Sequence, residues 1–186
     1  WRDRSDREIE AVVRGEQGMV ALSPDGRTAA LGSASGLWLR DLTRGIDTRF
    51  TSFPLAGTAP VWSPDGARVA FGDSNAIYMK APSDTDDTVR LLRSEYTVFP
   101  SDWSRDGRNL LYTEINPKTR ADLRVLPDPL TASDRREPVT FLATEFNETM
   151  GQFSPDGRRV AMLKPTNEAP PTRDHAIFIF NFFDEL

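Results

Sequence analysis

The sequence contains no cysteine and a single histidine among its 186 residues. The absence of cysteine excludes disulfide bonds, thiolate metal sites and cysteine nucleophiles. With His175 as the one imidazole, a metal site built on two histidines is excluded as well. No apolar run approaches the roughly 18 residues that a membrane-spanning helix needs. The sequence therefore predicts no membrane insertion by this segment, no metal ion and no cofactor.

The chain also lacks an excess of basic residues. It has 23 Lys and Arg against 28 Asp and Glu, which gives a formal net charge of −5. Surfaces that bind nucleic acid or anionic lipid require the opposite balance of charge. We therefore expect no nucleic-acid partner.

A motif that occurs four times is the main positive feature of the sequence. Ser-Pro-Asp-Gly occupies residues 23–26, 63–66 and 154–157, and Ser-Arg-Asp-Gly occupies residues 104–107. A large apolar residue precedes each motif, and a short apolar run follows each glycine. Self-similarity at a spacing of about 40 residues is typical of repeat folds such as propellers.

The motif predicts a tight turn between two antiparallel strands. The aspartate can bond to nearby backbone, and glycine readily adopts the left-handed conformation that such turns need. We interpret the repeated carboxylates as parts of turns and not as a catalytic or metal-binding series. The residues assigned this structural role are Asp25, Gly26, Asp65, Gly66, Asp106, Gly107, Asp156 and Gly157.

A third strand follows each hairpin, and a fourth, more polar strand follows it in the first three repeats. Four strands per repeat, with no amphipathic helix, predict an all-β fold. The repeat length indicates a β-propeller built from about four four-stranded antiparallel blades. We predict one domain over residues 1–186, with blade repeats at approximately 14–51, 52–92, 93–142 and 143–186.

Closure of the ring has two solutions. The last repeat has too little chain for a fourth strand, whereas residues 8–13 form an additional strand before the first repeat. That strand could complete the last blade and close a four-bladed ring. Alternatively, the blades are part of a larger propeller that another chain completes.

The repeat resembles the PD40 repeats of TolB-like propellers, which are WD40-like in shape. A narrower resemblance is to the C-terminal propeller region of bacterial, acidobacterial-type serine/threonine kinases. The segments that carry it are residues 1–5, 60–66, 119–123, 144–148 and 151–157. This resemblance implies an extracytoplasmic (periplasmic or cell-surface) sensor module and leaves a cytoplasmic location open. The chain itself contains none of the kinase sequence motifs.

Candidate binding residues lie in the loops that such a fold gathers at one end of its axis. An acidic mouth with nearby aromatic side chains suits a basic protein or peptide ligand. Alternatively, the charges are ordinary solvated loop charges and the aromatic rings pack between blades. The residues predicted to line the mouth are Asp73, Glu95, Tyr96, Phe99, Glu114, Glu145, Phe146 and Glu148.

Three functions are compatible with this sequence. The first is a non-catalytic propeller that binds a protein or peptide. The second is a self-assembling unit, a homo-oligomer in which open blade edges pair between chains. The third, a small hydrolase, has the weakest basis, because the chain offers only scattered carboxylates beside its single histidine. We therefore predict no catalytic residues.

Overall fold

The computed structural model describes residues 19–33, 35–51, 60–83, 88–131, 137–144, 147–164 and 175–180. For residues 163–164 and 175–180 only the backbone is described. All regular secondary structure in these ranges is β-strand, which confirms the predicted all-β class. The predicted closing strand at residues 8–13 lies outside the described residues.

The strands form four consecutive sheets, which we call blades 1 to 4. Blade 1 contains β1 (Val20–Leu22), β2 (Thr28–Ser33), β3 (Gly36–Asp41) and β4 (Ile46–Arg49). Blade 2 contains β5 (Val61–Trp62), β6 (Val69–Asp73), β7 (Ala76–Lys80) and β8 (Val89–Arg93). Blade 3 contains β9 (Thr97–Trp103), β10 (Asn109–Asn116), β11 (Arg120–Pro127) and β12 (Val139–Leu142). Blade 4 contains β13 (Thr149–Phe153), β14 (Arg159–Lys164) and β15 (His175–Phe180).

Each blade is an antiparallel meander in which neighbouring strands follow one another in sequence. Three blades have four described strands and the fourth has three. The first strands of successive blades contact each other, so that β1, β5, β9 and β13 lie side by side along the arc. This arrangement confirms the β-propeller prediction.

The four repeated motifs form the same turn between the first two strands of each blade. The serine hydroxyl donates to the aspartate Oδ1 at 2.5–2.7 Å, and the glycine φ lies between 69° and 77°. The serine Oγ in turn accepts the backbone N–H five residues later, as in Arg68 N to Ser63 Oγ at 2.9 Å. These bonds hold the pKa of each turn aspartate below its ordinary value, with the serine hydroxyl as the largest cause.

Alternation along the strands gives each blade two apolar faces. In β6, Val69 and Phe71 pack in the cluster shared with blade 1, whereas Ala70 packs in the cluster shared with blade 3. In β10, Tyr112 faces blade 2 and Leu111 faces blade 4. The core is therefore three layers, one at each junction between consecutive blades.

The arc stays open between its first and last blades among the described strands. Every consecutive pair of blades is in contact, but no described strand of blade 1 contacts one of blade 4. In the described part of the chain there is no helix of the length and apolar character required to cross a membrane.

Candidate binding face

The links between blades and the hairpins within them meet at one end of the arc, which we call the loop face. It comprises the β2–β3, β6–β7 and β10–β11 hairpins and the links that lead into β5, β9 and β13. The Ser-x-Asp-Gly turns lie at the opposite end, the turn face. These two ends differ because an antiparallel meander alternates its connections between ends.

Backbone hydrogen bonds join each link to the hairpin of the preceding blade. Phe50 N donates to Leu37 O at 2.9 Å, Ser94 N to Asn75 O at 2.8 Å, and Glu148 N to Ala121 O at 2.7 Å. Between blades 2 and 3 a further bond runs from Val98 N to Ser74 O at 2.8 Å. The loop face is thus a connected surface and not a set of independent loops.

The predicted mouth residues around blade 2 are accessible. Glu95 is exposed, and Asp73, Tyr96 and Phe99 are half-buried. Asp73 ends β6, and Glu95 and Tyr96 lie in the link that the β6–β7 hairpin holds. Phe99 is predicted to lie in a loop, but it lies within β9, because this strand begins at Thr97.

Glu114 differs from the others because it lies in a strand and is 4% exposed. The sequence predicts a loop at this position, but β10 and β11 extend for eight residues each and pair Glu114 with Asp122. Its Oε1 accepts Arg124 Nη1 at 2.6 Å and its Oε2 accepts Ser94 Oγ at 2.7 Å. Glu114 therefore supports the loop face from beneath.

Glu148 is fully buried in the link between blades 3 and 4. Its Oε1 accepts the hydroxyl of Thr144, and its Oε2 has no hydrogen-bond partner among the described residues. The remaining two predicted mouth residues, Glu145 and Phe146, lie outside the described residues.

The polar residues around Glu114 were not predicted from the sequence. Burial raises the pKa of the Tyr112 phenol above its usual range. Burial lowers the pKa of Arg124, but the bond to Glu114 and the charges of neighbouring groups outweigh this, so that the net shift is upward. The available signal was an arginine in the otherwise apolar segment Leu123-Arg124-Val125.

Asp102 is a second group that the sequence analysis missed. It lies in β9, and its Oδ2 accepts the backbone N–H of Phe153 in β13 at 2.7 Å, joining blades 3 and 4. Burial raises the pKa of this carboxyl, and the two backbone hydrogen bonds it accepts oppose the shift only in part. A charged residue in a predicted inner strand was the signal in the sequence.

A cleft of about 310 Å³ lies on the turn face, between the turns of blades 3 and 4. Its lining includes Arg105, Asp106 and Asp156. The two carboxylates already accept hydrogen bonds within their own turns. Within the described ranges no three His, Asp or Glu side chains are placed to hold one metal ion.

No protein-family model matches this sequence, and no curated protein matches it either. Solved structures do match. The chain superimposes on TolB from Acinetobacter baumannii with a TM-score of 0.78 and 18% identity, covering 98% of this chain and 46% of that one. A nidogen/laminin complex matches with a TM-score of 0.67 and 13% identity, over 86% of this chain and 64% of that one. Hydrazine synthase from Kuenenia stuttgartiensis matches at 0.69 and 20% identity, over 95% and 55%.

These identities establish the fold alone. The fold is a β-propeller, similar to that of TolB, and the chain spans less than half the length of the Acinetobacter TolB. Because the matches include TolB, a nidogen/laminin complex and hydrazine synthase, function has to be argued from the loop face itself.

We predict that Asp102→Asn preserves or raises the free energy of unfolding at pH 7, because the amide oxygen can still accept the Phe153 N–H and no charge is buried. Asp102→Ala should lower it by about 1–3 kcal/mol, since the N–H loses its partner. Urea unfolding followed by tryptophan fluorescence measures both.

The pH dependence provides the control. A raised folded pKa means that the native state binds more protons, so that Asp102 contributes stability below its ordinary pKa of 3.8 and this is lost as pH rises through the folded value. The wild type should therefore lose stability relative to Asp102→Asn across that range. A constant difference from pH 3 to pH 7 would contradict a buried, desolvated carboxyl.

Proposed function

We propose that this chain is a non-catalytic propeller module that binds a basic protein or peptide at its loop face. The observation that carries the proposal is the accessibility of the loop face around blade 2, where Glu95 is exposed and Asp73, Tyr96 and Phe99 are half-buried. Acidic groups steer a cationic partner toward the surface, and aromatic side chains supply contact area at small entropic cost.

The residues predicted to line the mouth divide into two roles under this proposal. The accessible ones make contact with the partner. Glu114 holds Ser94, and Ser94 Oγ accepts Tyr96 N at 3.0 Å, so Glu114 fixes the link that carries Glu95 and Tyr96. We propose Glu145 and Phe146 as further contacts on the strength of the sequence alone, whereas Glu148 is fully buried and can only support the link that contains it.

A protein partner is also what one structural neighbour has, since nidogen was solved in complex with laminin. The resemblance of the repeats to the propeller regions of bacterial serine/threonine kinases leads us to propose further that the module is the extracytoplasmic sensor part of a kinase-like receptor. In that setting the loop face is the surface that detects the extracellular or periplasmic ligand.

We expect peptides selected from a random display library on the wild-type chain to be rich in Lys and Arg. The double variant Asp73→Lys/Glu95→Lys should bind them at least about tenfold more weakly, the equivalent of roughly 1.4 kcal/mol. Titration calorimetry at two salt concentrations measures this, and the wild-type affinity should fall as salt rises.

Glu137→Lys is the control at the opposite end of the arc. It makes the same charge change per residue, half of that in the double variant, on an exposed residue in the β11–β12 connection at the turn face. Its affinity should equal that of the wild type. Peptides without a basic bias, or equal loss in both variants, would argue against recognition by the loop face.

The proposed location is tested with an antibody against this chain. In spheroplasts of the source cell, added protease should remove the epitope while a cytosolic marker survives. Protection of the epitope until the cells are lysed would place the module in the cytoplasm and contradict an extracytoplasmic sensor.

Self-assembly is the second candidate, and it is favoured by the end of the arc at blade 1. Three apolar side chains at or beside β1 are conspicuously open, with Met19 and Leu22 each 45% exposed and Val20 57% exposed. The first strands β5 and β9 each contact the first strands of two blades, whereas β1 contacts only β5 among the described first strands.

If chains associate through this end, the mass measured by light scattering should rise above 20.8 kDa as concentration increases. Val20→Lys should then return it to that of one chain, because it places a charge in the apolar contact. Val89→Lys, which changes an exposed residue of the outer strand β8, should leave association intact. A constant mass of one chain over a hundredfold range would exclude assembly.

A further inference from the structure

The face of blade 3 that packs on blade 2 carries a polar group within an apolar layer. Tyr112 and Glu114 in β10 pair directly with Arg124 and Asp122 in β11. Alternate residues of a strand share a face, so that all four side chains lie on one side of the sheet. Tyr112 packs in the cluster at the junction of blades 2 and 3, and this identifies the side.

The four side chains interact electrostatically but are not all satisfied. Both oxygens of Glu114 accept hydrogen bonds, from Arg124 and Ser94, and Asp122 Oδ2 accepts Thr119 Oγ1 at 2.5 Å. Three buried atoms of this group have no hydrogen-bond partner in the described part of the chain, namely Tyr112 Oη, Asp122 Oδ1 and Arg124 Nε. The strand register brings these groups together, because Arg124 lies directly opposite Tyr112 and the Glu114–Asp122 pair lies two residues further along the same face.

Leaving three buried polar atoms unpaired would cost the desolvation penalty of a buried polar group three times over. Native proteins avoid this cost by pairing such atoms with protein groups or with ordered water. Tyr112 and Asp122 are 0% and 4% exposed, so a bulky ligand has no access to these atoms. Whatever pairs with them must be very small.

The chemistry of the three atoms selects among small occupants. Arg124 Nε–H can only donate, Asp122 Oδ1 can only accept when ionised, and the Tyr112 hydroxyl can do both. A water molecule accepts from the first, donates to the second and retains one donor and one acceptor for the third. A metal cation would satisfy only the oxygens, and the guanidinium beside it would repel it.

We infer that these residues form a buried site for one water molecule, bounded by Tyr112 Oη, Asp122 Oδ1 and Arg124 Nε. This water joins β10 to β11 beside the Arg124–Glu114 ion pair. Glu114 extends the network to Ser94, and Ser94 to the backbone of Tyr96. The site therefore helps to hold the link between blades 2 and 3, whether or not a ligand binds above it.

The test is Tyr112→Phe, which removes the hydroxyl and keeps the ring that packs in the core. If the hydroxyl binds water, the variant loses those hydrogen bonds and its thermal midpoint falls. If the hydroxyl is unpaired, removing it relieves a buried unsatisfied group and the midpoint stays the same or rises. Calorimetry on the full chain distinguishes the two signs, and the second overturns the inference.

Tyr96→Phe is the matched control, since Tyr96 is half-buried in the loop face and outside the site; its midpoint should change less. A high-resolution crystal structure of the wild type should show a water within about 3.2 Å of at least two of the three atoms. Absence of density there overturns the inference. So does a midpoint higher in sodium chloride than in choline chloride at equal ionic strength, because that indicates a cation.

Discussion

Blades 2 and 3 each have two apolar faces, and the arc depends on both being covered. Trp62, Val69 and Phe71 contact blade 1 while Val61, Ala70 and Ile77 contact blade 3, so that blade 2 has no solvated sheet face. A single such sheet could not be stable alone, since the apolar residues on both of its faces are covered by its neighbours. Close approach of the blades also requires glycine at Gly72, where a Cβ would lie 2.8 Å from Val98 O.

Polar groups at the junctions fix how each blade is aligned against the next. Apolar layers alone are non-directional, and they tolerate sliding of one blade on the next. Three hydrogen bonds each cross a junction at one position along the strands. They join Asp102 to Phe153 N, Trp62 Nε1 to Ala21 O at 3.1 Å, and buried Lys80 Nζ to Phe50 O at 3.2 Å. A shift of either blade would leave a buried donor or acceptor unpaired, and this fixes the register of the arc.

The repeat could be predicted from the sequence because its information is local. Each turn closes within six residues, from the serine to the residue whose N–H it accepts, and the strand alternation on either side needs no tertiary knowledge. The interior of the loop face could not be predicted in this way. Glu114 is predicted to be a loop residue because its two partners are distant in the sequence. Arg124 lies on the next strand, and Ser94 lies in the link between blades 2 and 3.

The two ends of the arc differ because the turn face is held by contacts that are local in the sequence and the loop face by contacts between distant residues. Turns at the turn face satisfy their own carboxylates, as Asp65 does with Ser63 and Ala67, so they have little left to offer a partner. Links at the loop face satisfy their backbone on the preceding blade, which leaves side chains such as Glu95 directed to solvent while their backbone is fixed. A surface whose backbone is held by the scaffold loses little entropy on binding, and this is the physical basis for proposing the loop face as the binding surface.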